Sequence, residues 1–343
     1  MANRVRSLTV AARIIRHLRE TLHQCRRDDM QLWAIIVDSF REALDRKIFW
    51  VLVGLTLLIT TAMLSVGIES DRVTFMFGLW GVETPHFDPR TVAGRVHVVG
   101  SVVYLLLFAL LGWVGVILMI IATSGAFPQM MERGAVDVLL SKPIGRPKLF
   151  LYKYLAGMVF VAIQAALFVG LTFLVMGFRW GVWVPRYFLC APLLVLLFSY
   201  LYCVSVLVAV KTRSTVAAIL LSLGAWIAFA TPQTALQTFD QFPKLKKQDR
   251  VYAMIRLAAW IPPKTTDIPY IAARWARAGA SVDIFPDTAM SSASTDDREQ
   301  IDRARRMEEE ALRKNPWVSI GSSLVFEAVV VLWAMASFTR KDY

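Results

Sequence analysis

Charge is what the longest apolar stretches of this chain lack; Lys153 and Glu327 are the clear exceptions inside them. Cysteine and histidine are scarce too, with three Cys and four His in 343 residues. Cys25, Cys190 and Cys203 show no metal-type spacing, so neither a disulfide framework nor a thiolate metal site is implied. Two of them fall in one apolar segment, where a free thiol behaves as a small hydrophobe. No G-x-x-x-x-G-K-S/T loop occurs, so nothing in the chain is built to cradle ATP phosphates. Gly145–Lys153 begins with Gly and contains Lys, but it lacks the Gly-Lys-Ser/Thr ending. Paired carboxylates, a Ser-His-Asp set and a Cys-His pair in a supporting context are also missing, which leaves little room for an intramembrane enzyme. The first 29 residues carry seven Arg and no apolar run, unlike a secretory signal. Val5, Leu8, Ile15, Leu18 and Leu22 recur there at near-helical spacing, which reads as a basic amphipathic helix. A mitochondrial transit peptide is the other reading of that composition.

What is present is apolar surface. The chain is 56% hydrophobic with a mean hydropathy of +0.51, outside the range of an ordinary soluble domain. Six long segments carry it: Ile48–Val66, Val98–Ile121, Leu149–Gly177, Tyr187–Val210, Ser214–Thr231 and Trp317–Phe338. Each has about 18 residues or more, enough for a helix to cross roughly 30 Å of hydrocarbon. The expected fold is therefore an all-α polytopic membrane protein with six transmembrane helices. The net charge of +12 fits basic residues that flank membrane helices and meet anionic headgroups better than it fits a nucleic-acid partner.

Residues 1–46 form the expected basic and amphipathic N-terminal region. Within it, Met30–Arg46 places Trp33, Ile36, Val37, Phe40 and Leu44 on one face and Asp38, Arg41, Glu42 and Asp45 on the other. Such a helix, leading directly into a span, should lie in the membrane interface. Residues 47–231 hold spans one to five. Residues 232–316 make a charged, helical segment on the far side, and 317–343 the last span with its tail. Orientation follows from the short loops. Arg133, Lys142, Arg146 and Lys148 lie between spans two and three, Lys211 and Arg213 between four and five, and Arg340 and Lys341 in the tail. This bias puts both termini in the cytoplasm. In the 232–316 segment, Val251–Trp260 is partly apolar, and Asp267 can cap a helix through Ala278 with Pro269 in its first turn. Ser294 or Thr295 can cap a charged helix from Asp296 to about Lys314, and Gly279–Ser294 reads as a loop.

Single residues carry weaker signals. Glu327 sits near the middle of span six, where a carboxylate is costly unless it is paired, wet or protonated. It either lines a substrate path with Gln164, or it is satisfied by an interhelical hydrogen bond, to Gln164 or to Ser322 and Ser323. Glu83, His86, Asp88 and His97 share the loop after span one, but their spacing matches no tight metal site, and none is expected. Trp80, Trp180, Trp183 and Trp260 fall near the outer span ends, as in an aromatic belt. Gly112, Gly115, Gly157 and Gly170 permit close helix packing.

The stretch Glu132–Leu155, ERGAVDVLLSKPIGRPKLFLYKYL, reads as a hairpin of two helical pieces. Ala135–Leu140 follows Gly134, Pro143 and Gly145 break it, and Pro147 opens the third span at its first turn. Its elements Glu132, Gly134, Leu139, Leu140, Ser141, Pro143, Ile144, Arg146 and Lys153 resemble the corresponding cytoplasmic segment of ABC-2 type transporter permeases. Phe40–Leu44 (FREAL), Pro262–Ile268 (PPKTTDI) and Phe338–Tyr343 (FTRKDY) resemble that family's entry helix, Pro-containing segment and terminus. The six-span subtype resembles the permease of the nitrous-oxide-reductase maturation transporter. The resemblance implies a dimer of permeases coupled to two copies of a separate ATP-binding subunit, with ATP and Mg held there and no cofactor bound directly. A coupling helix about residues 127–146 would dock on the ATPase through Glu132, Arg133, Gly134, Asp137, Leu139, Leu140, Pro143 and Arg146. Membrane lipids and an external partner protein are the other expected contacts. Two other functions compete: a membrane anchor whose 232–316 segment captures a partner, and an ion-coupled transporter using Glu327.

Overall fold

The computed structural model describes residues 37, 41, 47–68, 72–83, 114–132, 145–181, 183–241, 249–260, 262–277 and 315–340. Five of its helices are long and apolar enough to cross a membrane. They are α1 (Lys47–Ser65), α4 (Arg146–Trp180), α5 (Cys190–Thr212, preceded by the 3-10 turn Pro185–Leu189), α6 (Thr215–Gln241) and α9 (Pro316–Thr339). The expected second span lies mostly outside the described residues. Its described end is the shorter apolar helix α2 (Val116–Ser124), which leads into α3 (Ala126–Met130). Beyond α6 come α7 (Asp249–Trp260) and α8 (Asp267–Arg277). The α8 bounds follow the expected Asp267–Ala278 closely, and α7 covers the stretch read as partly apolar, Val251–Trp260. The charged helix from Asp296, the loop Gly279–Ser294 and nearly all of the interfacial helix (Val37 and Arg41 excepted) lie outside the described residues.

The termini of these helices are written locally. Pro147 occupies the first turn of α4 after Gly145, where a missing N–H costs nothing. Gly181 ends α4 in the left-handed region at φ 69°, donating its N–H to Gly177 O. Asn315 caps α9 by accepting from the Trp317 N–H at 3.1 Å. With 35 residues, α4 is roughly 50 Å long at 1.5 Å per residue, well beyond the hydrocarbon thickness.

Helix α5 is the axis of the bundle. Helices α2, α4, α6, α8 and α9 all pack against it, and α1 closes the ring between α2 and α4. Phe198, Tyr200, Leu201, Tyr202 and Cys203 are fully buried on it, so at that level its whole circumference faces protein. The two thiols described, Cys190 and Cys203, are free and buried.

Two expectations need correction. The all-α reading omits a small antiparallel sheet after α1: β1 (Gly67–Ile68), β2 (Arg72–Phe75) and β3 (Trp80–Glu83), in that order. Gly67 pairs with Thr74, and Phe75 with Trp80. The β-branched and aromatic residues of RVTF and WGVE favour extended backbone, but the segment is too short to stand out beside the apolar spans. Trp180 Nε1 and Arg179 Nε both donate to Val66 O, at 3.2 and 3.3 Å, and fasten the sheet to the end of α4. Trp180 is thereby buried, not part of an exposed belt, whereas Trp80, Trp183 and Trp260 are exposed. The second correction is at Pro232. The fifth helix continues through it to Gln241 instead of stopping at Thr231. Thr231 and Thr234 donate their hydroxyls to Ile227 O and Ala230 O, on either side of the Ala228 carbonyl that Pro232 leaves without a helical donor, and α7 packs alongside this helix.

Candidate functional site

The polar groups inside the bundle sort into three places: mid-span, the end bearing the α4 N-terminus, and the opposite end. At mid-span Glu327 is half-buried on α9, facing α4 and α5. Tyr154 of α4 donates its hydroxyl to Glu327 Oε1 at 2.8 Å. Ser199 of α5 lies 2.8 Å from Oε2, and also 2.8 Å from Leu196 O. A hydroxyl has one proton, so Ser199 serves one of these acceptors at a time. The carboxylate thus joins three helices at one point. Tyr154 is itself held by Tyr202, stacked at 5.1 Å, and Tyr202 by Phe198 at 5.0 Å. Gly157 makes this stack possible: a Cβ there would overlap the Tyr202 hydroxyl. Gly170, expected to do the same work, faces open space.

Gln164 is not part of this cluster. Its Nε2 donates to Thr56 Oγ1 at 3.0 Å, tying α4 to α1. Ser323 does not reach Glu327 either; it donates to Ser319 O and accepts from the Lys264 N–H at 2.9 Å. Ser322 likewise donates to Ser319 O. The expected partners of Glu327 were therefore the wrong ones. The actual donors, Tyr154 and Ser199, were visible only as polar residues scattered in spans.

At the end bearing the α4 N-terminus, Phe150 packs on Phe127 of α3 at 5.1 Å and on Phe338 of α9 at 5.8 Å. Arg146 donates from its guanidinium to Thr339 O at 3.3 Å, a cation at the negative end of the α9 dipole. On α5, Lys211 sits over the Trp333 ring, 3.8 Å from its centre. The helix directions bring Arg146, Lys148, Lys211, Arg213 and Arg340 to this one end. Glu132 is exposed just beyond α3, with the buried Met130 and Met131 anchoring the chain before it. Arg133, Gly134, Asp137, Leu139, Leu140 and Pro143 lie outside the described residues.

The opposite end is laced by Pro262–Ile268. Gln233 of α6 donates to Pro263 O at 2.7 Å and accepts from the Thr266 hydroxyl at 2.8 Å. Ser319 donates to Asp267 Oδ2 at 2.8 Å. The segment between α7 and α8 is thus hydrogen-bonded to both α6 and α9. Among the described residues no group of three or more His, Cys, Asp and Glu is placed to hold a metal ion; His86, Asp88 and His97 fall outside them.

These features define a predominantly helical, multi-pass membrane protein, with a carboxylate clasp at its centre and a basic end. No protein-family model and no curated protein matches the chain.

Proposed function

We propose that the chain is the membrane-spanning permease subunit of an ABC-2 type transporter, an exporter that dimerises and couples to two separate ATPase subunits. The observation that carries this reading is the Glu132–Lys153 hairpin sequence together with its base. The sequence with the family's coupling pattern joins α3 to α4, and Phe127, Phe150, Phe338 and the Arg146–Thr339 contact tie the start of α4 to α3 and α9. Motion pressed on such a hairpin would reach α4 and α9 directly, because both meet at that base. The basic residues gathered there support a cytoplasmic location for this end and for both termini, in a cell (inner) membrane.

The cargo proposed is amphipathic. Glu327 is paired with Tyr154 and Ser199, and Gln164 with Thr56, which disfavours a hydrophilic path past these two groups. A path along the seam between two copies remains. The same pairing weighs against an ion-coupled transporter built on Glu327. The test is purification of the full chain in mild detergent together with the product of any neighbouring reading frame that carries a Walker motif. Co-purification of an ATPase whose activity the chain stimulates is the expected result. A chain that recovers no ATPase, and whose genomic neighbours encode none, would leave the anchoring alternative standing.

A further inference from the structure

Among the described residues, the turn between β2 and β3 is a strongly exposed apolar feature outside the long spans. Met76, Phe77, Leu79 and Trp80 are 58, 71, 77 and 75% exposed, and no charged residue occurs between Arg72 and Glu83. Its backbone is unusual for such side chains. Met76 and Phe77 have φ of 51° and 59°, and Gly78 has 98°. Hairpin positions with positive φ ordinarily go to Gly, Asn or Asp, which fit that region and hydrate well. Two bulky apolar residues held there in water would combine backbone strain with exposed hydrocarbon.

The surroundings point to what covers the turn. The 3-10 turn Met76–Gly78 does not project away from the bundle; it packs beside α1, which ends only one residue before β1. The Val66 carbonyl that receives Trp180 and Arg179 fixes the sheet at that level. On α1 itself, Leu57, Leu58 and Leu64 are exposed, so the apolar surface of the turn continues that of a membrane-crossing helix. Four side chains offer on the order of 500 Å², short of the roughly 800 Å² per partner of a stable protein interface. Lipid has no such threshold, and a Trp beside the end of a span is the usual interfacial anchor.

We infer that Met76–Trp80 is a membrane-inserting wedge, seated in the lipid interface of the leaflet on its own side of the bilayer. This does not depend on the transport reading. The test places a nitroxide at Phe77→Cys in the full chain, with Cys25, Cys190 and Cys203 changed to Ala, in liposomes of phosphatidylethanolamine and phosphatidylglycerol. Power saturation then compares collisions with oxygen, which concentrates in lipid, and with a water-soluble nickel chelate. Oxygen collisions exceeding nickel collisions, opposite in sense to a Glu132→Cys control in water, are expected. Nickel exceeding oxygen would overturn the inference by placing the turn in water. Protection from both would overturn it by placing protein over the turn, including a second copy. Leu79→Cys carries the same measurement if the Phe77 variant fails to fold.

Discussion

The bundle holds two glutamates in opposite situations. Glu327 lies mid-span with a hydroxyl against each carboxylate oxygen, whereas Glu132 stands exposed where α3 hands over to the hairpin. A carboxylate tied to two neighbouring helices inside one chain does architectural work, because hydrocarbon offers no other donors. An exposed carboxylate at a bundle end contributes little to stability and is free to meet a partner. The comparison teaches that the charge most conspicuous in the sequence, inside an apolar span, has both its oxygens engaged within the chain, whereas the one at the bundle end is exposed.

The sharpest way to break this contrast is Glu327→Ala. Leaving the Tyr154 hydroxyl without its acceptor, while Ser199 turns to Leu196 O, should cost about 2–3 kcal/mol, seen as a clear fall in thermal unfolding temperature in detergent. Glu327→Gln, which keeps an acceptor for Tyr154, should cost only about 1 kcal/mol. Combining Glu327→Ala with Tyr154→Phe should be markedly less than additive, as a shared contact requires. Full additivity would show that the two residues do not act together.

Next in size comes a pair of glycines on α4. Gly157→Ala should destabilise by about 1–3 kcal/mol, because the added methyl meets Tyr202, which is stacked between Tyr154 and Phe198 and has little room to yield. Gly170→Ala should be neutral or stabilising by up to about 1 kcal/mol, since its Cβ enters open space on a helix. Equal effects at the two sites would contradict the packing described.

Smaller still is Arg146→Ala. Loss of the contact with Thr339 O should cost about 0.5–1 kcal/mol, read from thermal unfolding, while loosening the base of the hairpin. The least effect on stability is expected at Glu132→Gln, within about 0.5 kcal/mol of the parent. That variant should nonetheless uncouple ATP hydrolysis by the proposed partner from transport in liposomes. Retention of full coupling would remove Glu132 from the docking surface.

The bundle's helices were legible because each helix has to supply its own backbone hydrogen bonds in lipid and show lipid or neighbouring helices an apolar surface. Long uncharged runs therefore announce α1, α4, α5 and α9, and the start of α6, within a few residues. Local end signals were equally readable, as Pro147 at the start of α4 and Asp267 at the start of α8 show. The sheet after α1 was hidden because its strands are two to four residues long, too brief for a period to emerge. The end of α6 was missed for a different reason: the helix runs on through Pro232 to Gln241, with α7 packed against it, past the point where the apolar run stops.

By itself, then, the sequence determined that this chain has helices apolar enough to cross a membrane, roughly where five of them run, and that one carboxylate lies in the middle of the last. Only the tertiary structure decided that α5 is the axis, that Tyr154 and Ser199 rather than Gln164 meet Glu327, and that Gly157 but not Gly170 lets an aromatic ring close in. The reason is physical. Apolarity sets the medium a helix occupies but is nearly the same on every span, whereas neighbour choice depends on rotation and depth, which only side-chain packing between helices specifies.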